Sequence, residues 1–179
     1  MFIKIFILLI YRYIKKTFNK VVNHIQRTEL LILYRIQHYF KDDQLVPLIN
    51  VTKYLTNKKK IKLYVLSFLF FDYIIFIKLV ISIIISRTTN HVIKHYYKAK
   101  RPYNKYPNVI KFYKKKKIDS YSFPSQSIQN ITIIFYINYS SYWSIHILYW
   151  ITIGIISLTR MYRGLHYPHD IIFSYFISY

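Results

Sequence analysis

The chain alternates long apolar runs with basic, proline-interrupted stretches. Met1 to Ile14 is apolar apart from Lys4 and Arg12, but shorter than the roughly 20 residues a helix needs to cross a bilayer. It suits a signal anchor or an interfacial helix equally, and no small-residue cleavage site follows it. Lys15 to Lys62 is mixed and strongly basic, and Arg35 and His38 interrupt its partly apolar stretch from Leu30 to Phe40. This region is expected to form short helices in the cytosol or on a surface. Leu63 to Ser86 is the best membrane span, with Asp72 and Lys78 as its only ionisable residues. Such residues are costly in lipid and face protein or water. Six positions apart, they do not share a helical face, and Lys78 is expected to snorkel or to face the bundle interior.

Arg87 to Ser120 is polar and basic, broken by Pro102 and Pro107, with the run Lys114 to Lys117 reading as a solvated loop near anionic headgroups. Ser127 to Leu158 carries no charge beyond a possible one on His146. It is long enough for one very long helix or two short spans, and the polar run Asn138 to Ser141 favours a turn between two. A hairpin would return Thr159 to the side from which Ser127 sets out. Ile171 to Tyr179 opens a further apolar helix, within which the chain ends. The expected fold is all-α, a multi-pass transmembrane helical bundle whose last helix is cut short. Residues 1–62 form a basic N-terminal region with a possible membrane anchor or interfacial helix, and residues 63–179 form the membrane domain. Basic loops flank Leu63 to Ser86 on both sides, so the positive-inside rule does not choose an orientation.

Composition sharpens this picture. At 179 residues the chain is one domain's worth, and internal repeats are not visible. It is 54% hydrophobic and 20% aromatic, more apolar surface than a soluble domain of this size hides with ease. The net charge of +21 permits an anionic partner. The skew towards Ile, Tyr, Lys, Phe and Asn has the look of AT-rich coding, however, so the lysine excess is discounted as a sign of nucleic-acid binding. There is no cysteine, which excludes disulfides and thiolate chemistry.

Three segments carry candidate chemistry. Lys94 and Arg101 are seven residues apart, nearly two helical turns, so both side chains could project from similar faces. Pro102 places Arg101 at a helix exit, where its guanidinium can grip phosphate oxygens bidentately while Lys94 adds a point charge. A plain juxtamembrane basic face would look the same. In Phe123-Pro124-Ser125-Gln126-Ser127, Pro124 suits the first position of a helix whose free amides and dipole favour an anion, and Ser125 adds a hydroxyl. Ordinary capping also accounts for it. In Thr159 to Asp170, Pro168 again suits a first helical turn, with His166 just before it and Asp170 within it. Asp170 could then fix the tautomer of His166 and leave the other ring nitrogen free to attack. Gly164 permits a tight turn, and Arg160 supplies another cation. A satisfied His–Asp pair at a helix start explains this piece equally well.

In this order, Lys94-x6-Arg101-Pro102, Phe123-Pro124-Ser125 and Arg160-x5-His166-x3-Asp170 resemble the signature of the type 2 phosphatidic acid phosphatases and their vanadium haloperoxidase relatives. The resemblance covers roughly Leu63 to Tyr179 and implies an all-helical membrane bundle with its active site at one face. It implies that His166 is the nucleophile that forms a phosphohistidine and that Asp170 orients it. Lys94, Arg101, Ser125 and Arg160 would hold the phosphoryl oxygens, with no metal and no cofactor. Three positions depart from the family: Thr159 stands for Ser, Gln126 for a common Gly, which crowds the cradle, and Ser127 for the His that protonates the leaving oxygen. Loss of such a general acid costs about 10²–10⁴ in rate. His91, His95 and His169 are the possible substitutes.

The expected function is hydrolysis of a phosphomonoester or diphosphate on a lipid such as phosphatidate, at the endoplasmic reticulum or another internal membrane. Ser127 favours an alternative, a weak or inactive relative that binds lipid phosphate. A third reading is a basic membrane scaffold in which the matches are accidental. Apolar spans of this kind count against a vanadate-dependent peroxidase.

Overall fold

A computed structural model describes residues 24–40, 44–111, 121–138 and 143–178. The expected anchor at Met1 to Ile14 and the lysine run at Lys114 to Lys117 lie outside the described residues. Helix α1 occupies residues 24–39. It is followed by α2 (Val46–Leu55), α3 (Lys58–Phe71), α4 (Tyr73–Tyr97), the short α5 (Pro102–Lys105), α6 (Gln126–Ile137), α7 (Trp143–Tyr162) and α8 (Pro168–Ser178). Among the described residues there is no strand.

The expected unbroken span from Leu63 to Ser86 does not form. Asp72 takes an extended conformation, and its carboxylate accepts from the amides of Ile74 at 2.9 Å and Ile75 at 3.0 Å. A carboxylate that satisfies the free amides of a helix start is a strong N-cap. It therefore closes α3 and opens α4, instead of standing as a bare charge in mid-span. The two helices fold back on each other, burying Ile61 and Val65 of α3 against Leu79 and Ile83 of α4. At the corner, Phe70 and Phe71 are 83% and 85% exposed, which suits contact with an apolar medium and not with water. Lys78 is exposed and lines a groove between α4, α6 and α8, so it is not turned into the bundle.

The hairpin expected between Ser127 and Leu158 is present, as α6 and α7 packed together. Residues 139–142 of the turn lie outside the described residues, and Asn138 forms the C-cap of α6. The start differs by a residue or two from the sequence reading. Ser125, not Pro124, borders the helix as its N-cap, and Gln126 is the first helical residue. Serine is common at that position because its hydroxyl can accept from a free amide of the first turn, but Ser125 makes no such bond. Helix α7 continues through Thr159 and Arg160 to Tyr162.

Helix α6 sits at the centre, against α4, α7 and α8. Ile128, Tyr149, Ile153, Ile156 and Ile171 make the core it shares with α7 and α8. Between α4 and α6, Ile133 packs on Leu79 and Ile83, and nearer the start of α6 the contact is polar. Asn90 Nδ2 donates to Gln129 Oε1 at 2.6 Å and lies 3.4 Å from the Pro124 carbonyl, which pins the start of α6 to the last turns of α4. Buried amides that bridge helices serve as glue where water is excluded. Alternating helix directions bring the end of α4, the start of α6, the end of α7 and the start of α8 to one end of the bundle.

Helices α1 and α2 pack onto that end. Leu33 of α1 is buried with Tyr103, Leu165 and Tyr167, and Ile49 of α2 with Tyr162. Gln37 Nε2 donates to the carbonyls of Lys111 at 2.9 Å and Tyr162 at 2.6 Å, while its Oε1 accepts from the Lys111 amide at 2.9 Å. Two stretches, Tyr73–Lys105 and Ser144–Tyr162, are long and apolar enough to cross a membrane. Only 22% of the apolar window of each is buried inside the protein, so neither is the enclosed core helix of a soluble domain.

Candidate active site

The three motif segments meet at the shared end of the bundle. His166 lies in the loop between α7 and α8 and is 5% exposed. The tight turn before it depends on Gly164, whose φ is +63°, where a side chain is strained. A Cβ there would also lie 2.8 Å from Ile110 Cγ2. Pro168 begins α8, as expected, and puts Asp170 in its first turn.

Asp170 is fully buried. Its Oδ2 accepts from the Tyr167 amide at 2.9 Å and lies 3.6 Å from His166 Nδ1. The second distance is too long for a hydrogen bond, although catalytic contacts of this kind commonly tighten when substrate binds. Nδ1 therefore faces the carboxylate, and Nε2, across the ring, faces away from it. Burial lowers the pKa of His166 to about 4, with the Arg101 and Arg160 charges acting in the same direction and Asp170 against them. The ring is neutral at pH 7, the form in which an imidazole attacks.

Four cations gather at this end of the bundle, and two of them, Arg101 and Arg160, act directly on the His166 ring. Arg101, 5% exposed, donates from Nη1 to the Leu165 carbonyl at 2.9 Å, one residue before His166. Lys94 Nζ donates to the Tyr121 carbonyl at 2.9 Å, which ties the end of α4 to the loop that leads into α6. Arg160 Nη2 donates to Thr56 Oγ1 at 2.7 Å, and its Nε is buried without a partner. Arg163, one helical turn on and 2% exposed, also has a buried, unpartnered Nε. The sequence reading missed it, although its spacing of three from Arg160 puts the two on neighbouring positions of a helix end.

Ser125 completes the set. It is fully buried and its Oγ has no partner, while its amide donates to Ser174 Oγ at 2.5 Å. Ser174 Oγ in turn donates to the Asp170 carbonyl, so the start of α6 is fastened to the first turns of α8. Unpartnered buried donors are expensive. Their concentration at the bundle end that holds one neutral histidine suits an oxyanion such as a phosphoryl group.

The departures from the family pattern read differently in three dimensions. Thr159 is fully buried, donating to the Ile156 carbonyl at 3.0 Å and lying 3.2 Å from Thr52 Oγ1, so its extra methyl is absorbed in the α2–α7 contact. The Gln126 side chain does not crowd the cradle. It donates to Asn130 Oδ1 at 3.0 Å, one turn down α6. Ser127 is half-buried on the first turn of α6. Of its possible substitutes, His91 and His95 are exposed on α4, and only His169 reaches the site. Its Nε2 lies 3.1 Å from Asp170 Oδ1, beyond the carboxylate and so on the side of His166 away from Nε2.

His169 also contacts Glu29, which lies on α1 and was not singled out from the sequence. Glu29 is 5% exposed and is one of only six acidic residues in the chain, a rarity that could have flagged it.

Comparison with known proteins agrees with this arrangement. The sequence matches the PAP2 superfamily over residues 75–179. The fold is similar to the crystal structure of Aquifex aeolicus LpxE, with a TM-score of 0.70 and 18% identity over 83% of this chain and 88% of that one. It is also similar to the first transmembrane PAP2 type phosphatidylglycerolphosphate phosphatase from Bacillus subtilis, with a TM-score of 0.65 and 15% identity over 87% of this chain and 81% of that one. No curated protein matches the chain by sequence. The family match covers more than half of the chain, including all three motif segments, and the chain therefore belongs to the PAP2 superfamily.

Proposed function

We propose that this protein is an integral, multi-pass membrane phosphatase that removes a terminal phosphoryl group from a phosphomonoester or diphosphate lipid such as phosphatidate. The observation that carries this reading is the convergence of Lys94, Arg101, Ser125 and Arg160 on the neutral, buried His166. In this reading His166 Nε2 attacks phosphorus, the lipid alkoxide departs, and water then hydrolyses the phosphohistidine. Asp170 orients the ring and stabilises the positive charge it gains. Lys94, Arg101, Ser125 and Arg160 hold the phosphoryl oxygens, and Arg163 adds a fourth cation to the same end. No step calls on a metal. The two fold neighbours, one of them titled a phosphatidylglycerolphosphate phosphatase, support a lipid phosphate as substrate. The outward apolar faces of α4 and α7 support a site at one membrane face; in this reading the membrane is an internal one such as the endoplasmic reticulum.

The test is an assay of the purified protein on phosphatidate in the presence of chelator. Brief reaction with labelled substrate should trap an acid-labile, base-stable phosphoenzyme, which His166→Ala should abolish and Asp170→Asn should weaken. A phosphoenzyme that persists undiminished in His166→Ala removes His166 from the role.

Ser127 supports a second reading, a family member that binds lipid phosphate with little turnover. Tight phosphatidate binding by a protein that releases no phosphate would favour it.

A further inference from the structure

Helix α1 lies outside the family-matched residues 75–179, yet it delivers Glu29 to the site. Glu29 Oε1 accepts from the His169 amide at 3.0 Å and lies 2.7 Å from His169 Nδ1, with Oε2 at 2.8 Å from the same nitrogen. The ring is further fixed by stacking on Tyr167 at 5.4 Å and by Phe123 at 6.1 Å. Its opposite nitrogen, Nε2, lies 3.1 Å from Asp170 Oδ1, while Asp170 Oδ2 faces His166. Four side chains thus stand in a row, Glu29, His169, Asp170 and His166, and they alternate carboxylate and imidazole.

We propose that Glu29 and His169 are positioning residues, which hold the Asp170 carboxylate at the rotation from which its Oδ2 orients His166. The inference rests on the reading of His166 as the nucleophile. A carboxylate rotates easily about its last bond. The Tyr167 amide fixes only Oδ2, which also faces His166; Oδ1 accepts no hydrogen bond, and the His169 ring, 3.1 Å away, is the ion-pair partner that faces it. The groups that face His169 are Glu29 from α1, Asp170 and Tyr167 around the start of α8, and His166 beyond Asp170. Lys94 and Arg101 act on Asp170 from the end of α4 and the loop after it. Burial alone would lower the pKa of His169, but Asp170 and Glu29 outweigh it and raise the value to about 9. The ring is accordingly a cation at neutral pH, in ion-pair contact with both carboxylates. Glu29 keeps it so.

The experiment compares the full-length protein with Glu29→Gln, His169→Gln and the double variant, measuring kcat and KM on phosphatidate from pH 5.5 to 9.5. Glu29→Gln keeps the shape and removes the charge, so the His169 pKa should fall towards its ordinary value of about 6.5. Its kcat should match wild type at pH 5.5 and drop to about a tenth by pH 8, the low end for loss of an outer-shell partner of an oriented histidine. KM should change less than about twofold. The wild-type protein should lose activity as pH rises through about 9. His169→Gln should lack that alkaline limb, and the double variant should be no worse than His169→Gln. The wild-type limb and its loss in His169→Gln carry the test even if Glu29→Gln folds poorly. A Glu29→Gln protein with unchanged kcat, a loss independent of pH, a loss confined to KM, or additive effects in the double variant would overturn the proposal. His166→Ala in the same assay separates the two levels. Turnover that survives it removes the nucleophile reading and this inference together. Turnover that it abolishes, beside an unaffected Glu29→Gln, removes this inference alone.

Discussion

The Arg101 guanidinium donates to the carbonyl of Leu165 at 2.9 Å, so the first motif holds the backbone one residue before the histidine of the third. Arg101 is therefore both a candidate phosphate ligand and a brace for the loop that presents His166.

That double duty predicts a large loss for a change that keeps the charge. Lysine has one point of donation and no planar fork. Arg101→Lys should lower kcat/KM on phosphatidate by about 10²-fold or more, equivalent to about 3 kcal/mol. Measured kinetics beside a thermal melt will separate the effects. A variant with wild-type kcat/KM would show that Arg101 only braces the loop and that lysine suffices.

The expectation that Ser127 stands in place of a general acid makes a prediction about leaving groups. Alkoxides leave poorly without a proton, and aryl oxides leave more easily. With Ser127 at the first turn of α6 and His169 behind the carboxylate, the alkyl-to-aryl rate ratio should be low. Ser127→His should raise alkyl phosphate turnover selectively, by about 10²-fold if the ring meets the leaving oxygen. A ratio unchanged between two well-folded proteins would mean that some other group supplies the proton.

Gly164 offers a stability test with a geometric cause. Its φ of +63° costs an L-residue about 1–2 kcal/mol. A Cβ would press on Ile110 Cγ2 at 2.8 Å and on the Lys111 carbonyl at 3.1 Å. Gly164→Ala should lower the melting temperature by several degrees and reduce kcat, because the same turn positions His166. An equally stable Gly164→Ala protein would show that the turn relaxes without cost.

The two histidines predict a stability maximum near neutral pH. His166 has its pKa lowered to about 4, so between about 4 and 6.5 the unfolded chain binds the extra proton and stability rises with pH. His169 has its pKa raised to about 9, so its contribution is complete below about 6.5 and is lost as pH rises through 9. Melting temperature across pH 4 to 10 should peak near the middle of that range. His169→Gln should remove most of the alkaline decline. A decline that persists in that variant would assign it to other groups.

Much of the site was legible in the chain itself, because its geometry is local. His166 and Asp170 are four residues apart with Pro168 between them, and a helix that starts at Pro168 brings them face to face. The turn at Gly164 and the hairpin between Ser127 and Leu158 are local too, since glycine and polar interruptions act on the backbone where they stand. Hydropathy failed at Asp72. It weighs side chains but not the direction of the chain, and one aspartate can be either a buried charge in a span or the cap that ends one helix and opens the next.

What the sequence determined, then, was the class of chemistry: the motif order, the apolar helices between the motifs, and the residue types that can hold and attack a phosphoryl group. The tertiary structure alone decided which distant residues stand beside the motif residues. Glu29 meets His169 across 140 positions, and Arg160 meets Thr56 across 104. Such contacts follow no local period. They depend on how α1 and α2 settle on the bundle end, and that is decided by the packing of Leu33 and Ile49 against loops and helices far along the chain.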